Sequence, residues 1–269
     1  MSRRLNELEA RLGNQLLSRT TRKSNLTQAG EQYYQRAHNI LDEVDSLNEQ
    51  ASGVEARIEG TLKMTAPLSF GLMHLNEVIN EYANEHDSLT FQLDFSDRHV
   101  DLVEDGYELA IRIGELQDSS FQAKRLTQIR HVLCASPEYL RHRGTPEDLD
   151  GLEGHAFLQY GLSKLGSLKL TDAQGQKHTL SVSSKMKANN GDFLLDMAVK
   201  GHGIVYIPTF IVYQALKRGE LVRLLPQYQL PVLNAYAVYP KNRFLSQRCR
   251  VLIDLIASRF GDEPYWDQA

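Results

Sequence analysis

The chain of 269 residues is poor in the features that mark secreted and membrane proteins. It has two cysteines, Cys134 and Cys249, which lie far apart and outside any CxxC motif. This usage argues against a disulfide framework or a thiolate zinc site and favours two buried structural thiols. The longest apolar run, residues 203–213, is shorter than the roughly 18 residues of a membrane-spanning helix, and the N-terminus lacks a cationic-then-apolar leader pattern. We therefore expect a cytoplasmic location and no membrane partner.

The motifs of common enzymes are missing as well. The nine histidines show no HExxH spacing, and residues 161–166, GLSKLG, have the wrong spacing for a GxSxG elbow. The lone GHG at residues 201–203 predicts a tight turn from a helix to a strand in place of a phosphate loop. We expect no catalytic residues, no metal site and no cofactor.

The net charge is −4, but it is not evenly spread. The first 23 residues contain two anions, Glu7 and Glu9, and six cations, which are Arg3, Arg4, Arg11, Arg19, Arg22 and Lys23. This end therefore carries +4, and the remaining 246 residues carry −8. The asymmetry indicates a polyanion-facing end on an acidic body.

Two local patterns organise the basic end. Leu5, Leu8 and Leu12 recur at helical spacing and predict a short amphipathic helix that Gly13 ends. Residues 18–25, SRTTRKSN, favour the tip of a two-stranded hairpin whose side chains reach a phosphate backbone. A solvated basic turn fits the charge of this segment equally well.

A long heptad pattern follows Thr27, which is placed as a helix N-cap. Apolar or small residues occupy two positions of each seven, namely Tyr33, Ala37, Ile40, Val44, Leu47, Ala51, Val54 and Ile58. So narrow a seam needs a partner helix, and we predict a dimerisation helix over residues 27–58. The alternative is that this helix packs on the second domain of its own chain.

Strand and helix patterns alternate from residue 60 onward. TLKMTAP, the helical residues 68–87 and LTFQLDFSD form a strand, a helix and a strand typical of a parallel crossover. Residues 99–115 predict a short helix, a turn and a strand, residues 121–136 predict a strand pair, and the prolines and glycine that follow Ser136 indicate a domain boundary. The second half repeats the alternation. We expect two doubly wound α/β lobes with a ligand pocket in the cleft between them.

The N-terminal residues resemble the DNA-binding end of the LysR-type transcriptional regulators. The matching positions are Leu12, Gly13, Leu17, Arg19, Thr20, Thr21, Arg22, Leu26, Thr27, Ala29, Gly30 and Tyr33. The resemblance implies a partial winged helix-turn-helix over residues 1–26 and a linker helix over residues 27–59 that pairs two subunits. In the family, further helices precede this recognition helix, so the resemblance implies a truncated motif that binds DNA weakly or not at all. The implied DNA contacts are Ser2, Arg3 and Arg4 on the recognition helix and Arg19, Thr20, Arg22 and Lys23 on the wing.

The remaining residues resemble the effector domain of the same family, whose two lobes share their architecture with periplasmic solute-binding proteins. The resemblance is carried by APLSFGLMHL, RHVLCASPEYL and VKGHGIVYIP. It implies an effector-binding domain over residues 60–269, with lobe I at about 60–132 and 237–269 and lobe II at about 136–233. The strands that cross between lobes are expected near Val132–Ser136 and Leu233–Tyr239.

Eight residues are candidates for effector binding in this fold. They are Ser69, Phe70, Arg112, Gly114, Ser136, Asn189, Asn190 and Tyr206. Ser69 begins a helix whose N-terminal donors suit an anion, and Arg112 is placed to pair with an anionic effector. The alternatives are that Ser69 and Ser136 only cap helices and that Arg112 forms an internal ion pair.

We therefore expect a homo-oligomeric DNA-binding transcription regulator that senses a small molecule. Its expected partners are double-stranded DNA, a small-molecule effector for which an anion is the candidate, and further copies of the chain as a dimer or tetramer. RNA polymerase is an additional candidate partner. The alternatives are a stand-alone small-molecule-binding protein of the periplasmic type and an enzyme on the same scaffold.

Overall fold

The computed structural model of the chain describes residues 3–19, 24–34, 36–37, 40–41, 44, 58–98, 100–115, 121–161, 166–241 and 245–268. Helix α1 (Arg3–Leu12) is followed by Gly13, whose φ of +67° suits a residue without a Cβ. Strands β1 (Leu17–Arg19) and β2 (Ser24–Leu26) pair in antiparallel register. The predicted short helix and hairpin are both confirmed.

Helix α2 begins at residue 28, and its described part extends to residue 44. Thr27 caps it, because its Oγ1 accepts a hydrogen bond of 2.9 Å from the backbone amide of Gly30. The predicted helix start is therefore confirmed. Ile58, expected as the last heptad position, is not helical and packs against the main core of the effector domain. The heptad positions Leu47, Ala51 and Val54 lie outside the described residues.

The first lobe is built on a five-stranded sheet in the order β4-β3-β5-β14-β6. Its strands are β3 (Gly60–Ala66), β4 (Leu89–Phe95), β5 (Leu109–Ile113), β6 (Phe121–Ile129) and β14 (Leu233–Pro240). The first three are parallel, and β14 runs antiparallel to both of its neighbours. Its helices are α3 (Leu68–Phe70), which continues through a π-helical turn (Gly71–Leu75) into α4 (Asn76–Glu85), and α8 (Gln247–Phe260). The predicted strand, helix and strand over residues 60–95 are confirmed.

The second lobe is built on a sheet in the order β11-β8-β12-β7-β13. Its strands are β7 (His131–Ala135), β8 (Phe157–Tyr160), β11 (Ser184–Ala188), β12 (Ile204–Pro208) and β13 (Val222–Leu224). Its helices are α5 (Pro137–Arg143), α6 (Gly191–Val199) and α7 (Thr209–Lys217). A separate hairpin joins β9 (Gly166–Thr171) to β10 (Lys177–Val182). The expectation of two α/β lobes is thereby confirmed.

Three local predictions were wrong. Residues 102–106 form a single hydrogen-bonded turn and not a helix, because Gly106, with a φ of +73°, leaves the helical region after one turn. Strands β6 and β7 do not pair with each other, since they belong to different sheets. The segment after Ser136 is no domain boundary, because Pro137 begins α5 within the second lobe. Proline is favoured in the first helical turn, where its missing amide costs no hydrogen bond.

The chain changes sheets at positions that differ from those expected. Strand β7 lies wholly in the second sheet, so the first crossing is at Arg130 and not within Val132–Ser136. Strand β14 lies wholly in the first sheet, so the second crossing precedes Leu233. The expected positions came from the family resemblance, whereas the sheet to which each strand belongs is decided by tertiary pairing.

One hydrophobic core runs through both lobes. It includes Met64 of the first sheet, Val205 of the second sheet and an aromatic group around Trp266 near the C-terminus. Cys134 and Cys249 are free and buried, as predicted. Within the described residues, none of the helices combines the length and the apolar character needed to cross a bilayer.

Candidate functional site

A cavity of about 550 Å³ lies between the two lobes. This volume is in the range of pockets that hold small molecules. Its lining residues from the first lobe are Pro67, Ser69, Phe70, Ser96, Asp97, Arg98, Arg112, Ile113 and Leu233. Those from the second lobe are His131, Phe157, Leu158, Gln159, Tyr160, Leu168, Val182, Tyr206, Pro208, Phe210 and Ile211.

The polar side chains of the first-lobe wall follow adjacent strands of one sheet. Ser69 follows β3, Asp97 follows β4, and Arg112 lies at the carboxyl end of β5. Because β4, β3 and β5 are parallel neighbours, these ends meet at one edge of the sheet. Both Ser69 and Arg112 were predicted at this edge. Asp97 was missed, although its position directly after an alternating strand was a readable signal.

The N-terminus of α3 already has internal acceptors. The backbone amide of Leu68 hydrogen-bonds to the Asp97 carboxylate, and Ser69 Oγ donates to Asp192 Oδ2 at 2.6 Å. Asp192 belongs to the first turn of α6 in the second lobe. The backbone and hydroxyl donors that suggested an anion site at Ser69 are therefore satisfied by two carboxylates of the chain itself.

The Arg112 guanidinium has a buried nitrogen that makes no hydrogen bond. Its Nη1 donates to the carbonyl of Ile111 at 3.3 Å, whereas Nη2 is buried with no hydrogen-bond partner. Burial lowers the pKa of Arg112, and the charges of the Asp94 and Asp97 carboxylates act against this shift. A buried guanidinium nitrogen without a partner is costly and favours a ligand oxygen at that position.

An aromatic pair forms part of the second-lobe wall. The rings of His131 and Tyr206 are stacked with centroids 4.8 Å apart. Burial lowers the pKa of His131 to about 4 and raises that of Tyr206 to about 12, so both are neutral near pH 7. Tyr206 was predicted at this wall, and His131 was missed because the crossing at Arg130 was not foreseen.

The other predicted effector residues pack in the core, cap helices or lie outside the cavity. Phe70 reaches the cavity, but its side chain is fully buried against Phe210, Phe260 and Trp266. Ser136 is buried and caps α5 by accepting from the Tyr139 amide, so the alternative reading of this residue is the one observed. Gly114, Asn189 and Asn190 are not among the cavity residues, and Asn190 caps α6.

The basic N-terminal end presents two exposed arginines on the first turn of α1. Arg3 pairs with Glu7 one turn later at 2.9 Å, and Arg4 is exposed. The backbone of Arg19 lies in β1. Four further predicted contacts lie outside the described residues, namely Ser2, Thr20, Arg22 and Lys23.

Glu9, one of the two anions of the basic end, is buried. Its Oε1 accepts hydrogen bonds from the backbone amides of Leu16 at 2.7 Å and Leu17 at 3.0 Å. These bonds fix α1 to the start of the hairpin. Gly30 allows α2 to approach the same point, since a Cβ there would lie 1.9 Å from the carbonyl oxygen of Leu16. No pattern in the sequence distinguished Glu9 from Glu7.

Two family profiles match the chain. The LysR substrate binding domain matches residues 55–261, and the bacterial regulatory helix-turn-helix protein of the lysR family matches residues 1–31. The chain belongs to the LysR family of transcriptional regulators.

Individual relatives agree with this assignment. An HTH-type transcriptional regulator of Haemophilus influenzae is 34% identical over 244 residues, which cover 91% of this chain and 85% of that protein. The HTH-type transcriptional regulator PtxR of Pseudomonas aeruginosa is 32% identical over 267 residues, which cover 98% of this chain and 85% of that protein. The solved structure of CrgA, a LysR-type transcriptional regulator from Neisseria meningitidis, superposes with a TM-score of 0.69 at 31% identity, covering 96% of this chain and 88% of that chain.

This LysR-type regulator thus combines a DNA-binding helix-turn-helix segment with an effector-binding domain. The relatives are named as transcriptional regulators and not as enzymes. A stand-alone binding protein of the periplasmic type is not favoured, because the same chain carries both matched segments.

Proposed function

We propose that this regulator contacts double-stranded DNA through residues 1–26, pairs with a second copy through residues 27–59 and binds a small anionic effector through residues 60–269. The cleft would act as a sensor, and no residue of the chain would act as a catalyst. The proposed setting is the cytoplasm, where RNA polymerase is the further partner of a regulator that acts at promoters.

The unpartnered Nη2 of Arg112 is the observation that carries the effector proposal. It lies in a cavity whose second-lobe wall is mainly apolar, with Phe157, Leu158 and Val182 among its residues. A carboxylate would complete the hydrogen bonds of Arg112, and an apolar body would pack against that wall. Tyr206 lines the same cavity and is proposed as a further contact.

The effector proposal is tested by thermal unfolding with paired probes. Acetate, benzoate and succinate are each compared with the corresponding neutral amide. At least one carboxylate is expected to raise the Tm of the native chain, since a ligand that binds only the folded state stabilises it. Neither its amide nor the Arg112→Gln variant should reproduce the effect. Equal stabilisation by an acid and its amide would refute the role of Arg112.

The DNA proposal places Arg3 and Arg4 on phosphates or base edges, with Arg19, Arg22 and Lys23 on the wing. Each cation that neutralises a phosphate releases counterions, so it contributes about one unit to the salt dependence of log K. Fluorescence anisotropy with a mixed-sequence duplex at several salt concentrations should therefore show a smaller slope for Arg4→Ala than for the native chain. Arg141→Ala, on the exposed face of α5, is the matched control. A slope for Arg4→Ala equal to that of the native chain would refute the phosphate contact at Arg4.

The dimerisation proposal rests on an exposed apolar seam along α2. Tyr33, Ile40 and Val44 are 37%, 60% and 46% exposed in the single chain, and Ala37 lies between them. Large apolar side chains in a contiguous seam indicate a surface that a partner covers. Ile40→Asp should reduce the mass measured by sedimentation. An unchanged mass would show that this seam is not the interface.

A further inference from the structure

Two buried side-chain atoms in the cavity between the lobes make no hydrogen bond to any described residue. Of the described residues that line this cavity, Arg112 and His131 alone carry such atoms, which are Nη2 and Nδ1. Gln159 on the same second-lobe wall, by contrast, accepts from Ser184 at 2.5 Å. The proposed anion contact uses Arg112 and leaves His131 Nδ1 unexplained. A buried polar atom without a partner is costly, so this nitrogen indicates a second polar contact for the ligand.

The His131 ring lies on the cavity face of the second sheet. Residues alternate between the two faces along β7, so His131 and Leu133 share one face. Leu133 belongs to the core cluster on that side, whereas Val132 and Cys134 belong to the main core on the other. The His131 ring is stacked on Tyr206 with centroids 4.8 Å apart, and Tyr206 packs against the same cluster as Leu133. The two rings therefore form one surface in the second-lobe wall.

Nδ1 of His131 is a hydrogen-bond acceptor. The imidazole donates to the backbone carbonyls of Ile129 and Pro231. Because Nδ1 makes no hydrogen bond within the described part of the chain, the donor is Nε2, which therefore carries the proton. Burial keeps the ring neutral near pH 7 by lowering its pKa to about 4. Nδ1 then presents an unshared electron pair, which a hydrogen-bond donor of the ligand can satisfy.

The rest of the second-lobe wall determines which other groups the ligand carries. Phe157, Leu158 and Val182 supply apolar surface. Among the described residues of this wall, none is charged near pH 7, since His131 is neutral and Tyr206 keeps its proton. A second carboxylate would lose its hydration there without meeting an opposite charge. A neutral hydroxyl can donate to Nδ1 at a much smaller cost of desolvation.

We propose that the effector is a hydroxylated monocarboxylic acid with an apolar body. Its carboxylate accepts from Nη2 of Arg112, and its hydroxyl donates to Nδ1 of His131. Its apolar body packs against Phe157, Leu158 and Val182. This inference rests on the proposed effector cleft and names the chemical class of the ligand that the cleft binds.

Thermal-shift titrations of the native chain with matched compounds test the hydroxyl contact. The probes are benzoate, 3- and 4-hydroxybenzoate, and 3- and 4-methoxybenzoate. At least one hydroxybenzoate should bind about three- to tenfold more tightly than benzoate, which is the range of a single net hydrogen bond. The matching methoxybenzoate keeps the ring and the oxygen but has no proton to donate, so it should show no gain.

His131→Phe removes both ring nitrogens and retains an aromatic ring against Tyr206. The ratio of the benzoate and hydroxybenzoate dissociation constants should fall to about one in this variant, because the acceptor is lost. His142→Gln, at an exposed position of α5 in the same lobe, is the control and should keep the native ratio. Circular dichroism verifies the fold of both variants. If His131→Phe does not fold, the methoxybenzoate comparison in the native chain decides.

An equal gain from the methoxy and hydroxy compounds, or a native ratio in His131→Phe, would overturn the inference. Benzamide and the hydroxybenzamides separate this result from the proposed function. A hydroxyl gain in acids and amides alike, with no preference for the acids, would refute the anion contact of Arg112 and support the hydroxyl contact of His131. Stabilisation by benzoate over benzamide without any hydroxyl gain would do the reverse. No stabilisation by any of these compounds would overturn both.

Discussion

The protonation of His74 should make the stability of the protein fall steeply below pH 6.5. This residue lies in the π-helical turn and is buried among aromatic rings, with the Trp266 ring centroid 4.4 Å away. Its Nε2 is 3.1 Å from the carbonyl oxygen of Phe210, which can only accept, so Nε2 carries the proton. Its Nδ1 then accepts from the hydroxyl of Tyr265 at 2.6 Å. The neutral imidazole is thus fully satisfied, and burial lowers its pKa from 6.5 to about 4.

The sign and size of the effect follow from linkage. A group whose pKa is lowered by folding binds more protons when unfolded, so its contribution is present above pH 6.5 and is lost as the pH falls toward 4. Each tenfold change in proton affinity is worth about 1.4 kcal/mol. Between pH 7.5 and pH 5, we therefore expect His74 alone to remove about 2 kcal/mol from the free energy of unfolding.

Guanidinium unfolding at pH 7.5 and pH 5 measures this loss. Trp266 is the only tryptophan and lies against His74, so its fluorescence reports the relevant region. His74→Gln should show a pH-dependent loss about 2 kcal/mol smaller than the native chain, whatever its stability at pH 7.5. His131, whose pKa is also lowered to about 4, contributes equally to both proteins. His142→Gln, at an exposed position, is the control. The same pH-dependent loss in His74→Gln and the native chain would refute the reasoning.

Three further predictions concern the buried features. Glu9→Ala removes the acceptor of two backbone amides. Hydrogen exchange of these amides should become at least about tenfold faster, since an unsatisfied buried donor costs about 1–3 kcal/mol. Unchanged exchange rates would contradict this prediction. Gly203→Ala would place a Cβ 2.3 Å from the carbonyl oxygen of Ala156, and we expect a lower Tm and a loss of about 1–3 kcal/mol in chemical unfolding, as for other overpacked sites. Burial raises the pKa of the Cys134 thiol to about 12 and also raises that of Cys249. Ellman's reagent should therefore label neither thiol until the protein unfolds. Rapid labelling of the native chain would show that one of them is accessible.

Local patterns predicted most of the regular structure. The helix that ends at Gly13, the Thr27 cap and the strand, helix and strand that begin at residue 60 were readable from apolar spacing and capping residues. These features depend on interactions within a few residues, which a single sequence displays directly. The two buried cysteines and the family resemblance were readable for the same reason, since composition and short motifs carry them.

The site was predicted less completely. Ser69, Arg112 and Tyr206 were placed on the cleft because strand ends meet there, but Asp97 and Asp192 were not. Asp97 was readable from its place after a strand, but Asp192 meets Ser69 across 123 positions of the sequence, which periodicity does not report. For Ser136 the sequence left a cap and a binding hydroxyl open, because both have the same sequence signal, and the structure shows the cap.

The sequence by itself determined that a basic end, a heptad helix and a two-lobed α/β domain follow one another, because charge, spacing and capping act locally. Only the tertiary structure decided which of these side chains meet. It buried Glu9 beneath the hairpin, moved the lobe crossing to Arg130 and brought Asp192 to Ser69. The physical reason is that hydrophobic burial is non-directional. A sequence pattern indicates that one face of an element is buried, but only the packing of the whole chain determines which residues bury it.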